Sequence, residues 1–124
     1  MAVTRQIPRG EWKTYFERFT RRHLVDEGSA QKTATIEVLS PALGDQLEAT
    51  FVGVIGMAYD ARSNAFELAL VNLDHLIFRP AEIWVIEEDD DFISALEVVD
   101  ADGNKEIVQL RQSSPAALAP ELPA

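Results

Sequence analysis

Cysteine is absent from this chain, which excludes disulfides, thiolate metal sites, cysteine nucleophiles and thiol redox switches, and makes a reducing compartment, the cytoplasm, the expectation. Long apolar runs are missing as well: none approaches the roughly 18 residues a membrane helix needs, and Met1–Pro8 lacks the apolar stretch of a signal peptide. No membrane partner is expected. There is no Gly-x-Ser-x-Gly element and no phosphate-binding glycine loop, so hydrolase and nucleotide-enzyme readings lack a starting point, and no cofactor is assigned. Basic charge is scarce outside the first segment. Residues 1–25 hold six basic and two acidic side chains, a net +4, whereas residues 26–124 hold five and nineteen, a net −14. An acidic body repels phosphate backbones, so RNA binding is disfavoured unless the basic N-terminal helix acts alone.

What is present is the composition of one globular domain: 124 residues, 47% hydrophobic, with six glycines and six prolines. Asp102-Gly103-Asn104 between β-branched runs marks a hairpin, because glycine takes positive φ at little cost. Pro8 is pre-set for a first helical turn, and Trp12, Phe16, Phe19 and His23 recur at helical spacing with Tyr15 beside them, which predicts an amphipathic helix of about four turns with an aromatic core stripe. Its arginines read as a solvated face that suits the helix C-terminus. Strands are expected over 33–39, 46–58 and 65–71. Gly53 and Gly56 predict a bulge or bend in the second. A strand broken by Pro80 follows, then the hairpin over 92–111. The fold class is α+β: an N-terminal helix packed on a curled, mostly antiparallel sheet of five or six strands, with a small, partly open barrel as its variant. Residues 1–6 read as an arm, 7–111 as the domain and 112–124 as a flexible Pro/Ala-rich tail after a loop at 26–32 has joined helix to sheet.

Strand parity places Val52, Val54, Val71, Trp84, Ile86, Val99 and Ile107 opposite the core residues, so the sheet reads as partly apolar on both faces. The second face, represented by Val52, Val54, Trp84, Ile86 and Ile107, is the expected interaction surface, buried by barrel closure, by a second copy or by a protein partner.

The Ile7-Pro8-Arg9-x-x-Trp12 opening, Phe19-Thr20-Arg21-Arg22-His23, Glu37-Val38 followed by Gly44, and the Asp102-Gly103 hairpin together resemble a family of small bacterial proteins catalogued only as a domain of unknown function. The resemblance spans most of residues 7–111 and departs at Leu24–Lys32. It implies a bacterial cytosolic origin and supplies no activity or site.

Candidate chemistry is thin. Asp100–Asn104 has alternating carboxylates before a glycine but lacks the distal bidentate glutamate of a calcium loop, since position 111 is arginine. Glu87–Asp91 offers clustered carboxylates to a hard cation, although consecutive carboxylates diverge, so no metal is assigned. His23 and His75 would need to converge with Glu37 or Asp74 for acid–base work. The leading expectation is a non-enzymatic interaction module that self-associates or binds a protein. The alternative is a small ligand-binding or hydrolytic protein using His23 and His75.

Overall fold

The computed structural model describes residues 1–24, 31–42, 44–71 and 73–113. Of the regions read as loop and tail, residues 25–30 and 114–124 lie outside the described residues. The chain forms β1 (Val3–Ile7), a 3-10 turn (Arg9–Glu11), α1 (Trp12–Phe19), a π-helical turn (Thr20–Leu24) and β2 (Gln31–Ser40). It continues through β3 (Gly44–Asp60), β4 (Ala65–Leu70), β5 (Asp74–Phe78), β6 (Pro80–Glu87), β7 (Ile93–Asp100) and β8 (Lys105–Ser113). The strands pair antiparallel in one sheet of order β1-β6-β7-β8-β2-β3-β4-β5.

This corrects the expected fold. There are eight strands, not five or six, the α-helix is a single element of eight residues, and the sheet is open, with β1 and β5 as its edges. Two local features account for the difference. Val3–Ile7, read as an arm running into a helix, pairs with Ile83–Glu87 as a strand. Pro80 does not merely break one strand. Arg79 adopts φ 54° and turns a corner, so that β5 and β6 become separate strands with one residue between them. The corner is tied down by Arg79 N–H to the Asn64 carbonyl (2.9 Å), Ala101 N–H to the Arg79 carbonyl (2.9 Å), and the Arg79 guanidinium to Asp102 (2.5 Å). These bonds hold a conformation that costs a non-glycine residue about 1 kcal/mol or more.

The corner also forces curvature. β5 is last in the sheet order and β6 second, yet their ends stand two residues apart, a reach of about 7 Å. The sheet must therefore curl until its ends approach. All eight strands contribute to one core, among them Ile7, Ile36, Met57, Phe66, Ile77, Val85, Leu96 and Val108. Trp12, Tyr15, Phe16 and Phe19 from α1 complete that core, with Phe16 edge-on to Phe66 at 4.9 Å between ring centroids. β3 pairs with β2 only as far as Gly53, and beyond that point the helix segment takes β2's place beside it. There the Thr20 hydroxyl accepts from the Met57 N–H and donates to the Met57 carbonyl, each at 2.9 Å. Among the described residues no helix is long and apolar enough to cross a membrane.

Candidate functional site: an acidic-rimmed groove and an arginine cleft

Two concavities lie on opposite sides of β1 and β6. The first is on the sheet face turned away from the core. Registration sets Gln6, Trp84, Glu97, Ile107 and Glu37 in one row across β1, β6, β7, β8 and β2, with Thr4, Ile86, Ala95, Gln109 and Thr35 in the next. Trp84, Ile86, Ala95 and Ile107 line a groove of about 270 Å³. Each is half-buried among its cross-strand neighbours, and among the described residues no element covers it. Among the described residues Glu97 is the charged side chain that lines the groove, between Trp84 and Ile107 with no cation in ion-pair reach, and beside the groove Glu82 accepts the Trp84 indole N–H at 3.0 Å.

Three of the expected surface residues thus meet in one groove. Val52 and Val54 do not: Val54 is 5% exposed inside the core, and Val52 is partly buried against it. The reason is the bulge. The β3–β4 register shifts between Val54 and Gly56, so side-chain parity reverses there, Val54 and Met57 both point inward, and Ile55 is 55% exposed. Val71, also placed on that face, is exposed beyond the end of β4, away from the groove.

The second concavity, about 360 Å³, lies between α1 with its π-helical turn, β1 and the end of β6. Arg5 grips Glu87 with both forks, at 3.1 and 3.2 Å, and the Tyr15 hydroxyl donates to the same carboxylate at 2.5 Å. The Arg5 hydrogen bonds hold the Glu87 carboxyl below its ordinary range, and burial followed by the bond to Glu87 pushes the Tyr15 hydroxyl up. Arg22 pairs with Asp91 at 3.0 Å. Arg18 lies against the Tyr15 ring at 5.7 Å and has no carboxylate in ion-pair reach among the described residues. His23 packs on Phe19 and Phe92 at 5.0 and 5.6 Å. Desolvation there lowers its pKa, with Arg22 and Lys32 acting in the same sense against Asp90 and Asp91. Its Nε2 is buried and meets no hydrogen-bond partner among the described residues.

The sequence-derived chemistry is dispersed by this arrangement. His75, on the inner side of β5, meets Glu106 of β8 at 2.5 Å, so the two histidines belong to different places. Asp74 lies beside Glu67, whose carboxyl is pushed up by the bond they share, and Glu37 lies on the outer face opposite Ile107. The Glu87–Asp91 run diverges: Glu87 faces Arg5, Glu88 accepts from the Ser94 hydroxyl (2.6 Å), Asp90 from the Phe92 N–H (3.1 Å), and Asp91 faces Arg22. Among the described residues no group of three or more His, Asp or Glu side chains could hold a metal. The cleft itself escaped sequence reasoning. Its one available signal was the spacing of Tyr15, Arg18 and Arg22, which puts a phenol and two guanidinium groups on one helical stripe.

Residues 3–120 match the model of a family of unknown function, DUF5335. The chain belongs to DUF5335. An uncharacterized protein of the bacterium Aquifex aeolicus (strain VF5) is 33% identical over 114 residues, covering 91% of this chain and 96% of that relative. No solved structure matches this DUF5335 protein. The family resemblance drawn from the opening motif and the late hairpin is thus correct, and it carries no activity with it.

Proposed function

We propose that this protein is a non-enzymatic binding module whose outer sheet groove docks a segment of another protein that presents an arginine or lysine next to a large apolar side chain. One observation carries the reading: Glu97, a carboxylate with no cation in reach among the described residues, is flanked by Trp84 and Ile107 in an otherwise apolar groove. A cationic side chain laid over the indole would meet ring and carboxylate together, and the apolar neighbour would fill the space by Ile86 and Ala95. Tryptophan in a groove of this kind is a common energetic anchor. Charge complementarity favours a foreign partner over a second copy. Face-to-face pairing of two copies would bring together two grooves that each carry Glu97, in chains of net charge −10. The cysteine-free composition suits a reducing compartment, and we place the module in the cytoplasm.

Trp84 reports on its own site. The other tryptophan, Trp12, is buried with its indole N–H on the Ile7 carbonyl at 2.8 Å, so a ligand-induced change in emission comes from Trp84. A short peptide with a leucine flanked by arginines should bind with a blue shift, and its glutamate-flanked counterpart should not. Glu97→Gln should weaken binding about tenfold, the cost of one charge-assisted hydrogen bond. Equal binding of both peptides, or a dimer in sedimentation that Trp84→Glu dissociates, would overturn the proposal, the latter in favour of self-association.

A further inference from the structure

We propose that the cleft beneath α1 is a second binding site, specific for a small oxyanion, the phosphate or carboxylate group of a soluble ligand, held by Arg18 and Arg22 beside the His23 ring. The charge balance inside the cleft is the first ground. Three arginines line it against two carboxylates, Glu87 and Asp91, in a chain whose net charge is −10. Both carboxylates are engaged. Glu87 is held by Arg5 and Tyr15, and Asp91 by Arg22, which leaves Arg18 lining the cavity against the Tyr15 ring with no carboxylate in ion-pair reach among the described residues. A planar guanidinium with open donors is the side chain best suited to a bidentate oxyanion.

The second ground is the orphaned imidazole nitrogen. Buried polar atoms are nearly always bonded, and His23 Nε2 is the one buried side-chain nitrogen or oxygen among the described residues with no partner. It belongs to a residue whose ring lines this cavity.

The third is the backbone. Thr20–Leu24 is wound as a π-helical turn, a conformation that is rare and concentrated at functional sites. This turn carries both Arg22 and His23 and follows directly on the α-helical turn that carries Arg18. A cavity of about 360 Å³ has room for an anion with part of its parent molecule, since a water molecule takes about 30 Å³ in the liquid. Asp91 then acts as a placeholder. It is 67% exposed and swings away when a ligand takes Arg22.

The test uses the full chain with inorganic phosphate and malonate as probes, and sodium chloride at matched ionic strength as control. The two histidines supply paired reporters by NMR, because His23 lines the cleft and His75 is held by Glu106 elsewhere. Millimolar phosphate or malonate should shift the His23 ring signals saturably and leave those of His75 in place. The tighter of the two identifies the ligand's anionic group. Arg18→Gln, which breaks no ion pair among the described residues, should weaken binding about tenfold or more while leaving the thermal midpoint of the free protein unchanged. Asp91→Asn should tighten it by a few-fold. Asparagine tolerates the φ of 65° found at that position while removing the competing charge. Equal shifts with chloride, equal movement of His75, wild-type affinity in Arg18→Gln, or weaker binding in Asp91→Asn would each overturn the proposal.

Discussion

Removing the Glu87 carboxylate should cost about 2–4 kcal/mol at neutral pH, and the cost should shrink in acid. The carboxylate accepts the Tyr15 hydroxyl at 2.5 Å from a ring that is 6% exposed, and a hydrogen bond from a buried donor to a charged acceptor contributes about 1.5–3 kcal/mol. The Arg5 pair adds less despite its forked geometry, because the Arg5 side chain is 39% exposed and solvent screens it to about 1 kcal/mol or below. In the folded chain Glu87 titrates below its ordinary value of 4.5, chiefly through the Arg5 hydrogen bonds. As pH falls, the unfolded chain takes up this proton first. The stabilisation is therefore complete above about pH 4.5 and is lost as pH drops through the lower folded value. Urea unfolding of wild type and Glu87→Ala at pH 7 and pH 3 measures the difference, with Glu87→Gln separating charge from shape. The wild-type advantage over Glu87→Gln should be smaller at pH 3 than at pH 7, because the unfolded chain takes up its proton before the folded one does. An advantage that stays constant across that range would show that Glu87 contributes packing and not charge.

Two further substitutions probe the fold. Gly103, at φ 88°, closes the β7–β8 hairpin with its N–H on the Asp100 carbonyl at 3.1 Å, and an added Cβ would meet only Pro41 Cγ at an ordinary 3.7 Å. Gly103→Val should then destabilise by about 1–3 kcal/mol through backbone strain alone, and an unchanged urea midpoint would refute the turn assignment. Val54→Asp should cost more than about 3 kcal/mol, because it buries a charge in the core, whereas Ile55→Asp should lie within about 0.5 kcal/mol of wild type. Comparable losses in the thermal midpoint at both positions would place the bulge elsewhere.

The β3 bulge also marks where sequence reading succeeded and where it stopped. Gly53 and Gly56 announce an irregularity inside a long strand, but only the pairing partner fixes which residue is extra, and a slip of one residue exchanges core and surface. Val54 changed sides for that reason. On β6 and β8, where the positions of Trp84 and Ile107 are free of bulges, alternation placed those side chains on the outer face as the structure has them. Strand count failed at Pro80 because a proline says that a ladder is interrupted, not that the next residues leave for the opposite end of the sheet. That jump needs Arg79 at positive φ, a state few non-glycine residues adopt and no local pattern announces.

One edge strand is shared by both concavities. Cross-strand neighbours on β1 and β7 half-bury Trp84 and Ile86 on the outer face. β1 then lies along the free edge of β6 and carries Thr4 to the groove on one side and Arg5 to the cleft on the other. Adjacent residues of a strand point to opposite faces, so a five-residue strand that reads in sequence as an arm supplies a wall to each site. A substitution that detaches β1, such as proline at Arg5, should therefore abolish peptide binding at Trp84 and anion binding at His23 together, whereas Arg18→Gln and Glu97→Gln each remove one and leave the other.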